Sequence, residues 1–325
     1  MDLLSTNYMG LKIGSPLIVG SSSLTSSLSK MKTAEDSGAG AIVMKSLFEE
    51  QINFNITAVN DESGYPESDD YIAFYTRSNA VDEYLELIES AKRSIKIPVI
   101  PSINCISSDA WIDFARNIES AGADALEVNM FFMPVNCKTD SVHSEKLYLD
   151  LVEKLTESVS IPFAIKIGQR FSNILYMIDQ FYNRGASGVV MFNRFYEPDI
   201  DIEKISIVPS SVLSNPDDRR HVLRWIAMAS ALKINVDISA STGVHSSADV
   251  IRYLLAGADT VQICSSLYTK GIRFIEIINK EIKDWMRNKG YKSIDDFRGK
   301  LNYSSIEKPT TFERTQFMKY FSSYE

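Results

Sequence analysis

Apolar positions recur along this chain in two alternating forms. In the first, a stretch with helical spacing closes on a glycine and a short apolar run follows. The four instances are Gly38-Ala39-Gly40-Ala41-Ile42-Val43-Met44, Gly122-Ala123-Asp124-Ala125-Leu126-Glu127-Val128, Gly185-Ala186-Ser187-Gly188-Val189-Val190-Met191 and Gly257-Ala258-Asp259-Thr260-Val261-Gln262-Ile263. Glycine in that position predicts a left-handed helix end and a tight turn into a strand. In the second form proline opens the run: Pro16-Leu17-Ile18-Val19, Pro98-Val99-Ile100 and Pro162-Phe163-Ala164-Ile165. Proline suits a first strand residue, before its missing N–H is needed. Ile234-Asn235-Val236-Asp237-Ile238 completes this set without a proline.

Eight short strands with helices between them predict a parallel (β/α)8 barrel, an α/β fold of the TIM type. The helices carry matching stripes, such as Val81, Tyr84, Leu85, Ile88 and Ala91, or Ile174, Met177, Ile178 and Phe181. Stripes of this spacing pack a helix against a sheet. Residues 6–14 read as an N-terminal hairpin closing the barrel floor. Two long insertions, about 47–80 after the second strand and 194–217 after the sixth, leave the strand ends where barrel active sites are built. The first is acidic (Asp61, Glu62, Glu67, Asp69, Asp70) and reads as a lid or binding loop. One domain over 1–325, with a tail from about 290, accounts for the chain.

Strand alternation then sorts the side chains. Bulky residues on one parity face the helices. The other parity turns Lys45, Ser102, Asn104, Asn129, Lys166 and Asn193 toward the barrel axis, mostly at strand C-terminal ends. Buried amides and ammonium groups must be satisfied by something. Glu127, Asp237 and Gln262 lie deeper and read as a self-satisfied polar floor, whereas Asn129 and Lys166 point to a ligand. After the seventh and eighth strands come Ser241-Thr242-Gly243-Val244 and Cys264-Ser265-Ser266-Leu267. Small residues there let backbone N–H groups approach a phosphate. An inward lysine, several amides and a phosphate seat together suit flavin mononucleotide, FMN.

Composition narrows the classes further. The 325 residues include 34 basic and 42 acidic side chains, a net charge of −8, which lacks the footprint of a nucleic-acid binder. No 18-residue apolar stretch predicts a membrane span. Three cysteines are too few and too scattered for a disulfide framework, and the three histidines have no metal-ligand spacing. A soluble, reducing-compartment globular protein, an enzyme or one derived from an enzyme, is the class that remains.

These residues carry a resemblance. Over about residues 2–300 the chain resembles the class 1 dihydroorotate dehydrogenase family, and more closely its divergent dihydroorotate dehydrogenase-like group. The carriers are Gly10-Leu11-Lys12-Ile13-Gly14-Ser15-Pro16-Leu17, Met44-Lys45-Ser46, Ile165-Lys166-Ile167, Phe192-Asn193-Arg194-Phe195-Tyr196-Glu197-Pro198-Asp199 and Gly290-Tyr291-Lys292-Ser293-Ile294. The resemblance implies an FMN enzyme of pyrimidine biosynthesis that oxidises dihydroorotate to orotate by hydride transfer to flavin N5. It places Lys45, Asn129 and Asn193 in catalysis. For FMN it implies Gly20, Ser21, Lys45, Ser46, Asn104, Asn129, Lys166, Thr242, Gly243, Cys264 and Ser265. It further implies a cytoplasmic homodimer with a small-molecule substrate, unlike the membrane-bound class 2 enzymes, and leaves room for an electron-transfer partner.

At one position the pattern departs. The family follows its asparagine with Leu-Ser-Cys-Pro-Asn, the cysteine being the base; here Asn129 is followed by Met130-Phe131-Phe132-Met133-Pro134. Counting from Asn129 puts Phe132 at the base position, and counting back from Pro134 puts Met133 there. Neither side chain takes a proton. Two alternatives therefore stand beside dihydroorotate oxidation. One is an FMN oxidoreductase for another small ring or enoyl substrate, with Phe131 and Phe132 making an apolar pocket. The other is a barrel that binds FMN or phosphate without catalysis.

Overall fold

A computed structural model describes residues 3–48, 68–105, 110–133, 135, 137–194, 197–232 and 234–313, with backbone alone for 68–80, 105 and 110. The expected (β/α)8 barrel is present. An antiparallel hairpin, β1 (Thr6–Tyr8) and β2 (Leu11–Ile13), precedes it. The ring consists of β3 (Leu17–Val19), β4 (Ala41–Val43) with its continuation β5 (Leu47–Phe48), β6 (Val99–Ile100) with β7 (Ser102–Cys105), β8 (Leu126–Met130), β9 (Phe163–Ile167), β10 (Gly188–Met191), β13 (Asp237–Ala240) and β14 (Thr260–Ile263). All ring pairings are parallel. Closure occurs at Pro101, which splits the third strand. Val99–Ile100 pairs with β4, and Ser102–Cys105 pairs with β8.

Helices α1 (Leu28–Asp36), α2 (Ser68–Ser94), α3 (Ala110–Ser120), α4 (Ser141–Ser158), α5 (Ile174–Asn183), α6 (Arg219–Ala229), α7 (Ser247–Ala256), α8 (Ser265–Lys270) and α9 (Phe274–Lys289) surround the ring. Gly38, Gly122, Gly185 and Gly257 all have φ between 85° and 108°, as the repeat predicts. Side chains with β-branches at those positions would meet strain. Among the described residues no helix is long and apolar enough to cross a membrane.

The core has two compartments. Between strands and helices lie Leu17, Val19, Ile42, Val128, Ile165 and Val189 with the helix stripes. Inside the ring, Ile18, Ala41, Val43, Ile100, Ala125 and Ala164 pack on Tyr8, Met9 and Ile13 of the hairpin, which plugs the floor as expected. The strand parity read from the sequence is therefore the observed one at these positions, whereas Lys45, expected inward with Val43, is exposed. Fully burying side chains of this size contributes roughly 1.5–3 kcal/mol each.

Three boundaries differ from expectation. The seventh strand begins at Asp237 and not at Ile234, because Ser239 and Ala240 extend the ladder between Val190–Met191 and Thr260–Val261. The segment expected as a loop to residue 80 is helical from Ser68. Ser68-Asp69-Asp70 opens that helix, and acidic residues favour a helix N-terminus. Residues 49–67 of that insertion lie outside the described part. The third difference is the second insertion. It is an ordered hairpin, β11 (Pro198–Asp201) and β12 (Ser206–Pro209), with its two prolines paired at the base, followed by a short 3-10 turn at Pro216–Asp218.

The tail lies along the α6–α7 side of the barrel. Gly299 N–H and Leu301 N–H donate to the carbonyls of Leu254 and Leu255, and Arg298 pairs with Asp259 at 2.7 Å. Residues 314–325 are outside the described part. Asp259 also accepts from Ile238 N–H, yet burial raises its pKa from the ordinary carboxylate value to about 6. Asp237, accepting from Met9 N–H, is likewise raised, by burial first. A carboxyl raised in the folded state stabilises it below the unfolded pKa, and that contribution is lost as pH rises toward the folded value. Between about pH 4 and 6 the native protein should therefore lose roughly 2 kcal/mol that Asp259→Asn does not lose. Thermal melts should show the melting-temperature difference, variant minus wild type, growing by a few degrees from pH 4 to pH 6.5; a constant difference would contradict this ionisation.

Candidate active site

The inward polar residues fall in one register row. Asn104 pairs across to Asn129, Asn129 to Lys166, Lys166 to Val190 and Val190 to Ser239. The alternation that hides Val128 and Ile165 against helices thus sets two amides and an ammonium side by side. Below them Glu127 and Gln262 complete a closed triangle with Lys166. Lys166 Nζ donates to Gln262 Oε1 at 2.9 Å and to Glu127 Oε1 at 3.2 Å, and Gln262 Nε2 donates to Glu127 Oε2. All three are buried. An ammonium has three donors, so two are consumed here and one is left for the mouth side. Glu127 and Gln262 behave as the floor read from the sequence, and Lys166 belongs to that floor as well as to the mouth.

Above the triangle the amides are unevenly satisfied. Asn193 Nδ2 donates to Asn129 Oδ1 at 3.0 Å, joining the ends of β8 and β10. Asn104 Oδ1 is buried and has no partner among the described residues. A buried acceptor left unmade costs about 1–3 kcal/mol, which a bound donor would recover.

A chain of hydroxyls locks the first two strand ends to the third. Ser46 N–H donates to Ser21 Oγ at 2.8 Å; Ser46 Oγ is 2.9 Å from Ser21 Oγ and 2.8 Å from Ser102 Oγ. Buried Tyr84 fixes Ser102 from behind, accepting its N–H at 2.9 Å. Gly20 follows β3, and its N–H donates to Ile263 O. Lys45, expected inward, is exposed and lines a hollow of about 790 Å³ with Ser46, Leu28, Tyr84 and Leu87, between the strand end and helices α1 and α2. Strand register and the Asn193–Asn129 hydrogen bond bring Asn104, Asn129, Lys166 and Asn193 together, whereas Lys45 borders the hollow it shares with Ser46.

The turns after β13 and β14 meet at one place. Thr242 has φ 81° and Gly243 φ 72°, and a Cβ on Gly243 would stand 2.4 Å from Arg219 N. Only glycine fits there. Thr242 Oγ1 donates to Phe192 O, and the buried Tyr253 hydroxyl holds Thr242 O. Ser214, from the second insertion, reaches both turns: its N–H donates to Ser265 Oγ at 2.9 Å, and its hydroxyl accepts from Gly243 N–H at 3.4 Å. Cys264 is half-buried between them; burial raises its thiol pKa, against Ser22 and the charge of Lys166, so it is no thiolate base.

Phe132 has turned away from the barrel axis. Its ring sits edge-on to Tyr148 at 4.7 Å, and Tyr148 meets Phe171 at 4.9 Å. Phe132 N–H donates to the Tyr148 hydroxyl at 3.2 Å. Met133 is exposed, and so is Cys137, the remaining thiol of this segment. Burial raises the Tyr148 pKa, so this phenol is no base near neutrality either.

Sequence reasoning missed Ser214, Tyr84, Tyr148 and Arg170. Arg170 was within reach, since 166, 168 and 170 share one parity past the end of β9. Tyr84 and Tyr148 carry core-stripe spacing that hides their hydroxyls, and Ser214 has no local signal.

The fold is a (β/α)8 barrel with an amide–ammonium row at its mouth and two glycine- and serine-rich turns beside it. The chain belongs to the dihydroorotate dehydrogenase family, whose model matches residues 3–286, and is an oxidoreductase of that type. It is 28% identical over 301 residues to the catalytic subunit of dihydroorotate dehydrogenase B (NAD(+)) of Thermoplasma acidophilum, covering 91% of this chain and 98% of that one. Similarity extends to the chloroplastic dihydropyrimidine dehydrogenase (NADP(+)) of Arabidopsis thaliana, at 24% over 324 residues, 91% of this chain and 76% of the relative. The dihydroorotate dehydrogenase (fumarate) of Saccharomyces cerevisiae is 26% identical over 244 residues, 69% of this chain and 76% of the relative.

Removing Glu127 leaves Lys166 charged, buried and short of its anionic partner. Glu127→Ala should destabilise the fold by about 3–5 kcal/mol in urea unfolding. The double variant Glu127→Leu with Lys166→Met should recover much of that loss; equal loss in both variants would show that the charge pairing is not what the barrel depends on.

Proposed function

We propose that this chain is an FMN-dependent oxidoreductase acting on a CH–CH bond of a small acid, with dihydroorotate to orotate, a step of pyrimidine biosynthesis, as the reaction its family supports. The observation that carries the cofactor reading is Asn104 Oδ1, buried without a partner among the described residues in the same row as Asn129 and Lys166. That set of acceptors and donors suits a flavin ring, which offers N–H groups and carbonyls along one edge. Asn104, Asn129 and Lys166 would hold the ring, with Gly20, Ser21, Lys45 and Ser46 along its flank. Thr242, Gly243, Cys264 and Ser265 would hold the phosphate, a seat that Ser214 spans in this structure. Bound FMN would supply two-electron chemistry that no side chain here possesses.

The chain's own residues would do the rest. Lys166, fixed by Glu127 and Gln262, keeps a positive charge under the ring site and favours an electron-rich cofactor. Asn193, held to Asn129, would orient the substrate. A homodimer in the cytoplasm is the assembly we assign. The Thermoplasma relative is a catalytic subunit, which supports an electron-transfer partner as well.

A second reading is favoured by one observation: Phe132 is packed on Tyr148, and neither it nor Met133 can take a proton. Loss of a general base slows such a step by roughly 10²–10⁴. On this reading the substrate is another ring or enoyl acid. A barrel that binds FMN without turnover is the remaining alternative. Anaerobic addition of dihydroorotate to FMN-loaded protein separates them: bleaching of the flavin within seconds to minutes supports the family reaction, and no bleaching at saturating substrate excludes it. Phe132→Cys should gain less than about tenfold in bleaching rate, because the side chain at 132 faces Tyr148. A hundredfold gain would show that only the base had been lost.

A further inference from the structure

The aromatic packing that removes Phe132 from the axis also builds a hollow. It has a volume of about 330 Å³ and lies between the segment after β8, the start of α4 and the segment after β9. Its apolar wall is Phe131, Phe132, Met133, Leu147, Tyr148 and Phe171. The edge-to-face series Phe132–Tyr148–Phe171 makes the wall rigid, and that series continues to buried Phe181. Met133 and Leu147 remain 49% and 40% exposed beside it. An apolar concavity of this kind, at the lower end of the ligand-pocket range, accommodates one ring with a short side chain.

Two polar groups in the same lining can donate to a bound anion. Tyr148 is 8% exposed as a residue, and its hydroxyl accepts from Phe132 N–H. Its own proton has no acceptor among the described residues. Arg170 is exposed, and no carboxylate among the described residues pairs with it. Both groups are donors and one of them is cationic, so an anion is the ligand they suit; a guanidinium matches a carboxylate in two parallel hydrogen bonds. Among the lining residues the one carboxylate, Glu145, is already engaged by Ser172 N–H at 2.9 Å. Arg170 also lines a second hollow, of about 460 Å³, together with Asn193 and Thr242. The apolar hollow and the barrel mouth therefore share this arginine.

We propose that the hollow binds an aromatic or similarly apolar unsaturated carboxylic acid, its ring against Phe132, Tyr148 and Phe171 and its carboxylate on Arg170 and the Tyr148 hydroxyl. This rests on the second reading above and names its substrate class: an apolar enoyl acid in place of a bare pyrimidine. Burial holds Tyr148 as a neutral phenol, which can donate to the carboxylate.

Calorimetric titration with cinnamate, run on cofactor-free and on FMN-loaded protein, tests it. Cinnamate should bind both forms with a Kd below about 1 mM, and phenethylamine, its cationic counterpart, should not bind. Arg170→Met, at an exposed position, should weaken cinnamate at least about tenfold. Leu147→Trp should fill the hollow and abolish binding while the melting temperature stays within a few degrees. No cinnamate binding at about 10 mM, or equal affinity in Arg170→Met, would overturn the proposal. Failure to take up FMN would count against the flavoenzyme reading alone, because the cofactor-free titration stands without it. Flavin bleaching by dihydroorotate together with tight cinnamate binding would keep the site but overturn its assignment to the substrate.

Discussion

The ammonium of Lys166 sits inside a ring of β-strands, and the barrel can keep it only because Glu127 and Gln262 close a triangle around it. Removing such a charge from water costs several kcal/mol unless geometry and hydrogen bonds are both right. That requirement divides the interior in two. Below the triangle the axis is filled with Ile18, Ala41, Ala125 and Ala164 on the N-terminal hairpin; above it the row of amides opens to the mouth. Every candidate contact to a cofactor stands on this floor. The hydroxyl chain from Ser21 through Ser46 to Ser102 and the Ser214 contacts at the two turns fix the rim around it.

The rim segment after β8 has been rebuilt around aromatic contacts. A cysteine base requires a side chain aimed at the substrate, whereas Phe132 gains more by burying its ring against Tyr148. Edge-to-face pairs of this kind add about 0.5–1.5 kcal/mol beyond their buried area. The same backbone position thus serves packing here, and the polar face of Tyr148 is what remains available. Two constraints meet along this segment: Asn129 keeps its inward place by strand parity, while the residues just beyond the strand pack on α4 and Phe171.

How much of this was legible in the sequence depended on how local the cause is. Strand parity depends only on alternation, so Asn104, Asn129, Glu127 and Lys166 could be placed inward from the chain alone. The helix-ending glycines were equally legible, since Gly38, Gly122, Gly185 and Gly257 need a left-handed backbone that other residues resist. Beyond the strand ends, alternation stops governing direction. Lys45 shares parity with Val43 yet is exposed, while the next residue, Ser46, finds hydroxyl partners in Ser21 and Ser102. Tyr148 and Ser214 act through contacts far apart in sequence, Ser214 reaching Ser265 across 51 positions. No window of neighbouring residues encodes such a contact.

The central claim is that this mouth holds FMN between the amide–ammonium row and the two turns. Titration of cofactor-free protein with FMN, followed by quenching of flavin fluorescence and by the visible absorbance of the bound form, tests it most directly. Stoichiometric uptake is expected with a Kd in the micromolar range or tighter, and a loss of about tenfold or more in affinity for Asn104→Leu and for Gly243→Ala. No quenching and an unperturbed flavin spectrum at a large excess of protein would contradict it, and the mouth would then have to be explained by a different ligand.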